Sequence, residues 1–248
     1  MLDATSVASS LPQSPLFTYA SYPAGYTQFG DAVMRSEFWS YIGQGADNYH
    51  VLLANPTMEP TVALSVPAAD GHTTVTSGST EGYVTFSWFI QTEEQQIIQE
   101  LGIPPTTMTI FVTLDTKVLE PYKSYCCYSG YHYDIPLDTS GGTKTWTTAW
   151  ASITPSDIES LSHEVAEWLN DPFYNNYVPD WRSPESGACG GDDLEVGDPV
   201  TDYSFVVNGF TLQDIAFFSW FTRTNPSAGI NHWYDLLNHL KSPAQSCT

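Results

Sequence analysis

Runs of β-branched and aromatic residues in the middle of the chain predict β-strands. These residue types are enriched in strands because their side chains pack well on a pleated surface. Residues 205–210 predict a hairpin with Asn208-Gly209 as its turn, since this dipeptide tolerates the positive φ of tight hairpin turns. The other predicted strands cover residues 83–90, 108–114, 126–133 (as an exposed edge strand) and 145–151.

Apolar residues at helical spacing predict two helices. The first covers residues 93–101, and Gly102 stands where a left-handed glycine commonly ends a helix. The second covers residues 156–170. Thr154 and Pro155 precede it as a capping residue and a proline of the first helical turn.

The remaining segments are assigned by composition. Residues 1–30 are rich in Ser, Pro, Tyr and Gly and are expected to form an extended lead-in. The Pro- and Gly-rich stretch at residues 171–199 is expected to be a long irregular loop, and such loops inside compact domains are usually functional. The order strand, helix, strand, edge strand, strand, helix and loops predicts an α+β fold.

The charge balance restricts the expected partners. The 248 residues include 7 Lys+Arg against 28 Asp+Glu, which gives a formal net charge of −21. We expect neither nucleic acid nor a membrane as partner, because no basic patch is present to neutralise phosphates. No stretch approaches the ~20 apolar residues of a membrane helix. Scarce basic residues fit a protein released into an acidic or external medium, so we expect the chain to be secreted.

Four cysteines form an even set that allows three pairings. In a secreted protein, a Cys189–Cys247 bridge would pin the C-terminal tail, and free buried thiols are the alternative. The sequence has no C-x-x-C pair, so a thiolate zinc site is not expected.

The second predicted helix carries a histidine and two glutamates in a pattern typical of metal ligands. Leu161 and Val165 fall on the side expected to be buried, whereas His163 and Glu167 lie one above the other on a different face. A His and a carboxylate at this spacing can chelate one cation. Glu164 lies about 100° from His163 around the helix, close enough to hold a water bound to that cation. The alternative is a solvated helix face, on which His and Glu are common.

The pattern His163-Glu164-x-x-Glu167 resembles the H-E-x-x-H helix of zincin metallopeptidases, with Glu in place of the second His. The order of elements before it also resembles zincins, in which an edge strand binds extended peptide. Residues 162–173 (SHEVAEWLNDPF) and 194–199 (LEVGDP) more closely resemble a group of zincin-like proteins secreted by soil bacteria and fungi. Plant phosphate-induced (EXORDIUM-like) secreted proteins are similar more weakly.

The resemblance implies one zincin-like α+β domain over residues 1–248, with a twisted mixed β-sheet, an active-site helix and long irregular loops. It also implies one divalent metal ion; zinc is expected, with calcium or manganese as alternatives. Metzincins would have Gly at 170 and a ligand at 173, but this chain has Asn170 and Phe173. A third ligand is therefore expected from Glu195 or Asp198, although these residues could instead cap a helix or organise the Gly190-Gly191 loop.

The implied function is a secreted metal-dependent hydrolase, a peptidase that uses a metal-activated water. Glu164 would be its general base, and His163, Glu167 and one of the two loop carboxylates would hold the ion. The alternative is a non-catalytic extracellular binding protein with a structural zinc or calcium site. A third interpretation, a carbohydrate-active protein, follows only from the abundance of aromatic residues and carboxylates.

Two residues of the predicted edge strand are candidates for substrate contacts. Tyr131 and His132 would lie beside the cleft that receives a peptide or another extracellular polymer. The alternative for His132 is an ordinary surface or packed histidine.

Overall fold

This computed structural model of the protein describes residues 2–43, 48–120 and 126–248. The helices are α1 Thr5–Ala8, α2 Phe29–Glu37, α3 Trp39–Ile42, α4 Phe86–Trp88, α5 Glu94–Leu101, α6 Glu159–Asn170 and α7 Phe218–Phe221. The strands are β1 Ala20–Tyr22, β2 Gly25–Thr27, β3 Gly71–Thr76, β4 Ser79–Thr85, β5 Thr109–Leu114, β6 Thr116–Leu119, β7 Gly130–Thr139, β8 Gly142–Ile153, β9 Tyr177–Arg182, β10 Cys189–Asp193, β11 Ser204–Val207 and β12 Phe210–Gln213.

The strands confirm the α+β class but form several small sheets instead of one mixed sheet. Two three-stranded sheets have the orders β3-β4-β6 and β5-β8-β7, and each combines one parallel with one antiparallel pair. Three two-stranded hairpins, β1-β2, β9-β10 and β11-β12, complete the described strands. In the described ranges, no helix is long and apolar enough to cross a bilayer.

Helix α6 packs against four elements of the fold: α2, β7, β8 and β12. Leu161 and Val165 are fully buried in the main apolar core, as their spacing predicts. The helix begins three residues later than predicted. The carboxylate of Asp157, rather than Thr154, accepts the first free backbone N–H, that of Glu159, at 3.1 Å.

The prediction of an extended lead-in over residues 1–30 is wrong. The described part of this segment contains α1, the β1-β2 hairpin and the start of α2. Leu16 and Phe29 are completely buried, and the Phe29 ring lies 6.3 Å from that of Phe205. The segment is ordered because its apolar residues complete the core beneath α6, a contribution that local composition does not reveal.

The strand predicted at residues 83–90 is only half right. β4 ends at Thr85, and the chain then turns helical through α4 and a π-helical turn at Phe89–Glu93. Phe89 and Ile90 are buried in a second apolar cluster with Trp150. A short apolar run is compatible with a buried strand or a buried helix, so tertiary packing determines that residues 86–90 are helical.

The predictions for β5, for the end of α5 and for the Asn208-Gly209 turn agree with the structure. Strand β5 agrees closely with the predicted strand, and α5 ends at Leu101 and is followed by Gly102 with a φ of 64°. Asn208 and Gly209 form the turn of the β11-β12 hairpin, with φ values of 50° and 83°. Within the described strands, β7 lies at the edge of its sheet, as expected, but it begins at Gly130.

The segment at 171–199 is less irregular than predicted, because the β9-β10 hairpin occupies its centre. The carboxylate of Asp171 accepts the backbone N–H groups of Asn175 and Asn176, each at 2.9 Å, and so shapes the turn after α6. The proposed Cys189–Cys247 disulfide is present and ties β10 to the C-terminal tail.

Candidate metal centre

Six ionisable side chains from three parts of the fold lie around the middle of α6. The helix supplies the adjacent residues His163 and Glu164, and Glu167 one turn later. Strand β7 lies against the helix and supplies His132. The segment after β10 supplies the last two residues, Glu195 and Asp198.

His163, Glu167 and Asp198 form the first group of potential ligands. His163 Nε2 lies 3.0 Å from Glu167 Oε2 and 3.7 Å from Asp198 Oδ1. Ligand atoms bound tetrahedrally to zinc at about 2.0–2.1 Å are roughly 3.3 Å apart. The group therefore has the dimensions needed to hold one ion after small side-chain adjustments.

A second group shares Glu167 and lies deeper. His132 Nδ1 is 3.4 Å from Glu164 Oε2 and 3.4 Å from Glu167 Oε2. His132, Glu164 and Glu167 are 6%, 5% and 1% exposed. The solvated-helix alternative is therefore wrong: this face of α6 is covered by β7 and by the loop after β10.

A hydrogen bond fixes which nitrogen of His163 faces the carboxylates. Nδ1 of His163 lies 3.0 Å from the side-chain oxygen of Gln213, while the Gln213 amide nitrogen donates to the Gly197 carbonyl at 2.7 Å. Because that oxygen can only accept, Nδ1 carries the proton and Nε2 faces Glu167. Two lone pairs at 3.0 Å repel unless a cation lies between them, either a proton on Nε2 or a metal ion.

Two glycines allow this close packing. A Cβ on Gly197 would overlap the imidazole ring of His163, and a Cβ on Gly130 would lie 2.6 Å from Glu164 Oε1. Gly197 also donates its backbone N–H to Glu167 Oε1 at 3.0 Å. The Gly within the LEVGDP stretch thus lets the loop backbone reach both helix residues.

The carboxyl groups of the cluster have different pKa values, because burial and the neighbouring charges act on each of them to a different extent. Burial acts to raise the pKa of Glu167, but the charges and hydrogen bonds of His163 and His132 outweigh it and hold that pKa below its usual range. Burial is the largest influence on Glu164 and raises its pKa to about 7. Burial, followed by the charge of Glu167, raises the pKa of Glu195 to about 10.

The pKa values of the two imidazoles are both raised. Burial acts to lower the pKa of each ring, yet the surrounding carboxylates raise the pKa of both His132 and His163 well above the ordinary value. Cations are therefore strongly attracted to this cluster.

Both loop candidates for the third ligand reach the site, in different ways. Asp198 belongs to the first ligand group and its side chain is half exposed. Glu195 hydrogen-bonds to the Glu167 carboxyl and to the hydroxyl of Tyr174, whose ring centre lies 5.8 Å from that of His132. Sequence reasoning missed Tyr174, because nothing local distinguishes it from an ordinary loop tyrosine.

The two candidate substrate residues lie on opposite faces of β7. His132 points towards α6 and joins the carboxylates, so it is buried instead of lining an open cleft. Tyr131 points away from α6: it stacks on Trp150 at 5.2 Å and donates its hydroxyl proton to Glu94. The structure thus brings His132 to the cluster and places the Tyr131 ring elsewhere.

No protein-family model matches this chain, and no curated protein or solved structure has a significant match to it. The residues around α6 are therefore the basis for assigning a function to this chain.

Proposed function

We propose that the chain is a zincin-like metal-dependent hydrolase, a secreted peptidase whose ion is held by His163, Glu167 and Asp198. The observation that carries the proposal is the 3.0 Å approach of His163 Nε2 to Glu167 Oε2, with Nδ1 tied to Gln213. Metal-binding histidines commonly donate their other ring N–H to an oxygen in this way, because that fixes the tautomer and the ring orientation.

The donor set favours a transition-metal ion. Calcium prefers shells made of oxygen, whereas imidazole nitrogen combined with carboxylate suits zinc or manganese. A bound zinc ion supplies polarisation of a substrate carbonyl and lowers the pKa of water to about 7. The ligand spacing and the buried surplus of carboxylates both fit such an ion.

Glu164 has the properties of a general base. It follows His163 on the helix, and the distance from its Oε1 to His163 Nε2 is 4.0 Å. Its pKa of about 7 lies near neutral pH, where proton transfer in both directions is efficient. It would accept the proton of the attacking water and return it to the leaving amine. His132, 3.4 Å from Glu164 Oε2, would hold that carboxylate in place.

An extended peptide is the substrate class that the surroundings favour. Solvent reaches the ligand group at the half-exposed Asp198 side chain. In the described part of the chain, β7 pairs along one side only, with β8, so its other side offers backbone groups to a peptide strand. The Cys189–Cys247 disulfide agrees with an oxidising compartment, which supports secretion.

One observation favours a non-catalytic alternative. Glu164 is buried, like Glu167, and lies within the second ligand group, so it could bind the ion instead of acting as a base. The protein would then be an extracellular binding protein with a structural metal site. Closed shells of protein ligands are typical of structural zinc, and an open position is typical of catalytic zinc.

The comparison of Glu164→Gln with wild type separates these functions. In a peptidase, this variant keeps its zinc and loses hydrolysis of a mixed peptide library by at least ~10²-fold. In a structural site, zinc affinity falls and wild type cuts no peptide. Glu159→Gln is the matched control, because Glu159 lies on the same helix and belongs to neither ligand group. Cleavage by zinc-loaded Glu164→Gln at the wild-type rate would contradict the proposed role.

A further inference from the structure

A third group of potential ligands lies away from α6, where the C-terminal segment meets the end of β12. It comprises Asp214, Asp235 and His239, and each offers an atom within 4.8 Å of the others. His239 Nδ1 lies 2.7 Å from Asp214 Oδ2 and 3.8 Å from Asp235 Oδ2. These distances bracket the roughly 3 Å between neighbouring ligands of an ion bound at about 2.0–2.2 Å.

Two features distinguish this group from an ordinary acidic surface patch. Asp214 and Asp235 are both 0% exposed, and within the described ranges their ion-pair partner is His239 alone. The two carboxyls are in hydrogen-bond contact with each other. Two buried carboxylates in contact repel strongly unless a positive charge or a proton lies between them.

One atom of the group lacks the partner that a buried carboxylate oxygen requires. Asp235 Oδ1 is buried without a hydrogen bond, whereas Asp235 Oδ2 accepts the backbone N–H groups of His239 and Leu240 at 2.7 and 2.9 Å. A buried carboxylate oxygen left unpaired is costly. A cation bound at this point would satisfy it.

Backbone hydrogen bonds hold the carboxylates in place before any ion arrives. Asp214 Oδ1 accepts the backbone N–H groups of Ile215 and Leu237 at 2.8 and 3.1 Å. Its other oxygen is left to face His239. Because two backbone amides fix one oxygen of each carboxylate, both carboxyl groups have little freedom to move.

His239 covers the group from the solvent side. Its side chain is 33% exposed, and its ring stacks on Tyr203 at 3.8 Å with an interplanar angle of 9°. The ring is thus oriented by packing, with Nδ1 directed at the carboxylates. Ions can reach the group on this side.

We propose that Asp214, Asp235 and His239 form a second divalent-cation site, which takes a transition-metal ion such as Zn²⁺. The imidazole nitrogen argues against calcium, which prefers oxygen donors. The ion would join the end of β12 to the C-terminal segment, so its role would be structural. It is independent of the proposed peptidase function, because none of its ligands belongs to the His163 or His132 group.

The test counts zinc ions on the full-length protein after chelator treatment, reconstitution with Zn²⁺ and dialysis. Wild type should hold about two ions per chain, and His163→Ala, Asp235→Asn and His239→Ala should each hold about one. His232→Asn is the control for histidine in the same segment. His232 is exposed outside the group, and Asn tolerates its φ of 61°.

A second measurement keeps the result clear if Asp235→Asn folds poorly. His239 is partly exposed, so His239→Ala should still fold. Zinc should raise the melting temperature of His163→Ala but not that of His163→Ala combined with His239→Ala. Equal zinc content in wild type, Asp235→Asn and His239→Ala would overturn the second site. A wild-type protein that holds one ion and loses it only in His163→Ala would overturn it as well.

Discussion

The side-chain oxygen of Gln213 lies 3.0 Å from Nδ1 of His163, across 50 residues of sequence. The same amide donates to the carbonyl of Gly197 and so links the helix, the hairpin and the loop that carry the site. The orientation of the His163 imidazole therefore depends on a residue of β12 that belongs to none of the groups of potential metal ligands.

Gln213→Met should weaken zinc binding about 10- to 100-fold, the range measured when such supporting hydrogen bonds are removed. The variant keeps the length of the side chain but lets the His163 ring change tautomer and turn. Competition with a chromogenic chelator measures the affinity. Gln28→Met is a matched control: Gln28 is also buried and bonded to backbone groups, those of Phe17 and Leu53. An equal loss of affinity in both variants would indicate general destabilisation.

Gly197→Ala should reduce both metal affinity and stability. Its methyl group would overlap the His163 ring, so the loop or the ring must move, and the hydrogen bond to Glu167 would be lost or lengthened. Overpacking of this kind typically costs about 1–3 kcal/mol. The melting temperature and zinc affinity are measured together, with Gly141→Ala as control, because the nearest atom to a Cβ there is 3.8 Å away. An unchanged affinity would show that the loop is not part of the site.

Asp198→Asn should lower zinc affinity more than Glu195→Gln does. Asp198 lies in the ligand group of His163, whereas Glu195 has its pKa raised to about 10 by burial and by Glu167. Glu195 is therefore mostly protonated at neutral pH, and glutamine resembles that neutral form. Isothermal titration at pH 7 gives both affinities. The reverse order would identify Glu195 as the third ligand.

Glu94→Gln should stabilise the protein in alkaline solution. Glu94 is fully buried, and burial raises its pKa from 4.5 to about 8. The folded state thus binds this proton more tightly than the unfolded state does. The resulting contribution to the free energy of unfolding is complete below pH 4.5 and is lost as pH rises through about 8. The loss approaches ~1.4 kcal/mol per pH unit within that window.

Urea unfolding at several pH values measures this effect. Glu94→Gln keeps an acceptor for the Tyr131 hydroxyl, so the two proteins should be similar near pH 4.5 and should diverge towards pH 9. Glu100→Gln, at an exposed position of the same helix, should follow wild type throughout. Parallel curves for wild type and Glu94→Gln would show that Glu94 is not the group that titrates.

The local parts of the site were accessible from sequence, and the distant parts were not. The spacing of His163 and Glu167 on a helix follows from helical geometry, and the pattern predicted both the helix and the pairing. His132 reaches the same carboxylates only because β7 packs on α6, a contact that spans 31 residues of sequence between His132 and His163. Gln213 and Tyr174 also reach the site through tertiary packing, Gln213 beside His163 and Tyr174 beside His132.

The same limit explains the errors in the fold. Local hydrophobicity at residues 86–90 is compatible with strand and helix alike, and packing of Phe89 against Trp150 selects the helix. The turn residues Gly102 and Asn208-Gly209 were predicted correctly because their conformational preferences act within a few residues.

The disulfide between Cys189 and Cys247 closes a covalent ring of the chain. Its two ends are 58 residues apart, and the ring encloses Glu195, Asp198, Gln213 and the Asp214 group, while α6 lies outside it. A protease that cuts one peptide bond inside the ring would therefore release no fragment. The severed molecule would stay in one piece, and its mass would rise by a single water until a reductant opened the ring.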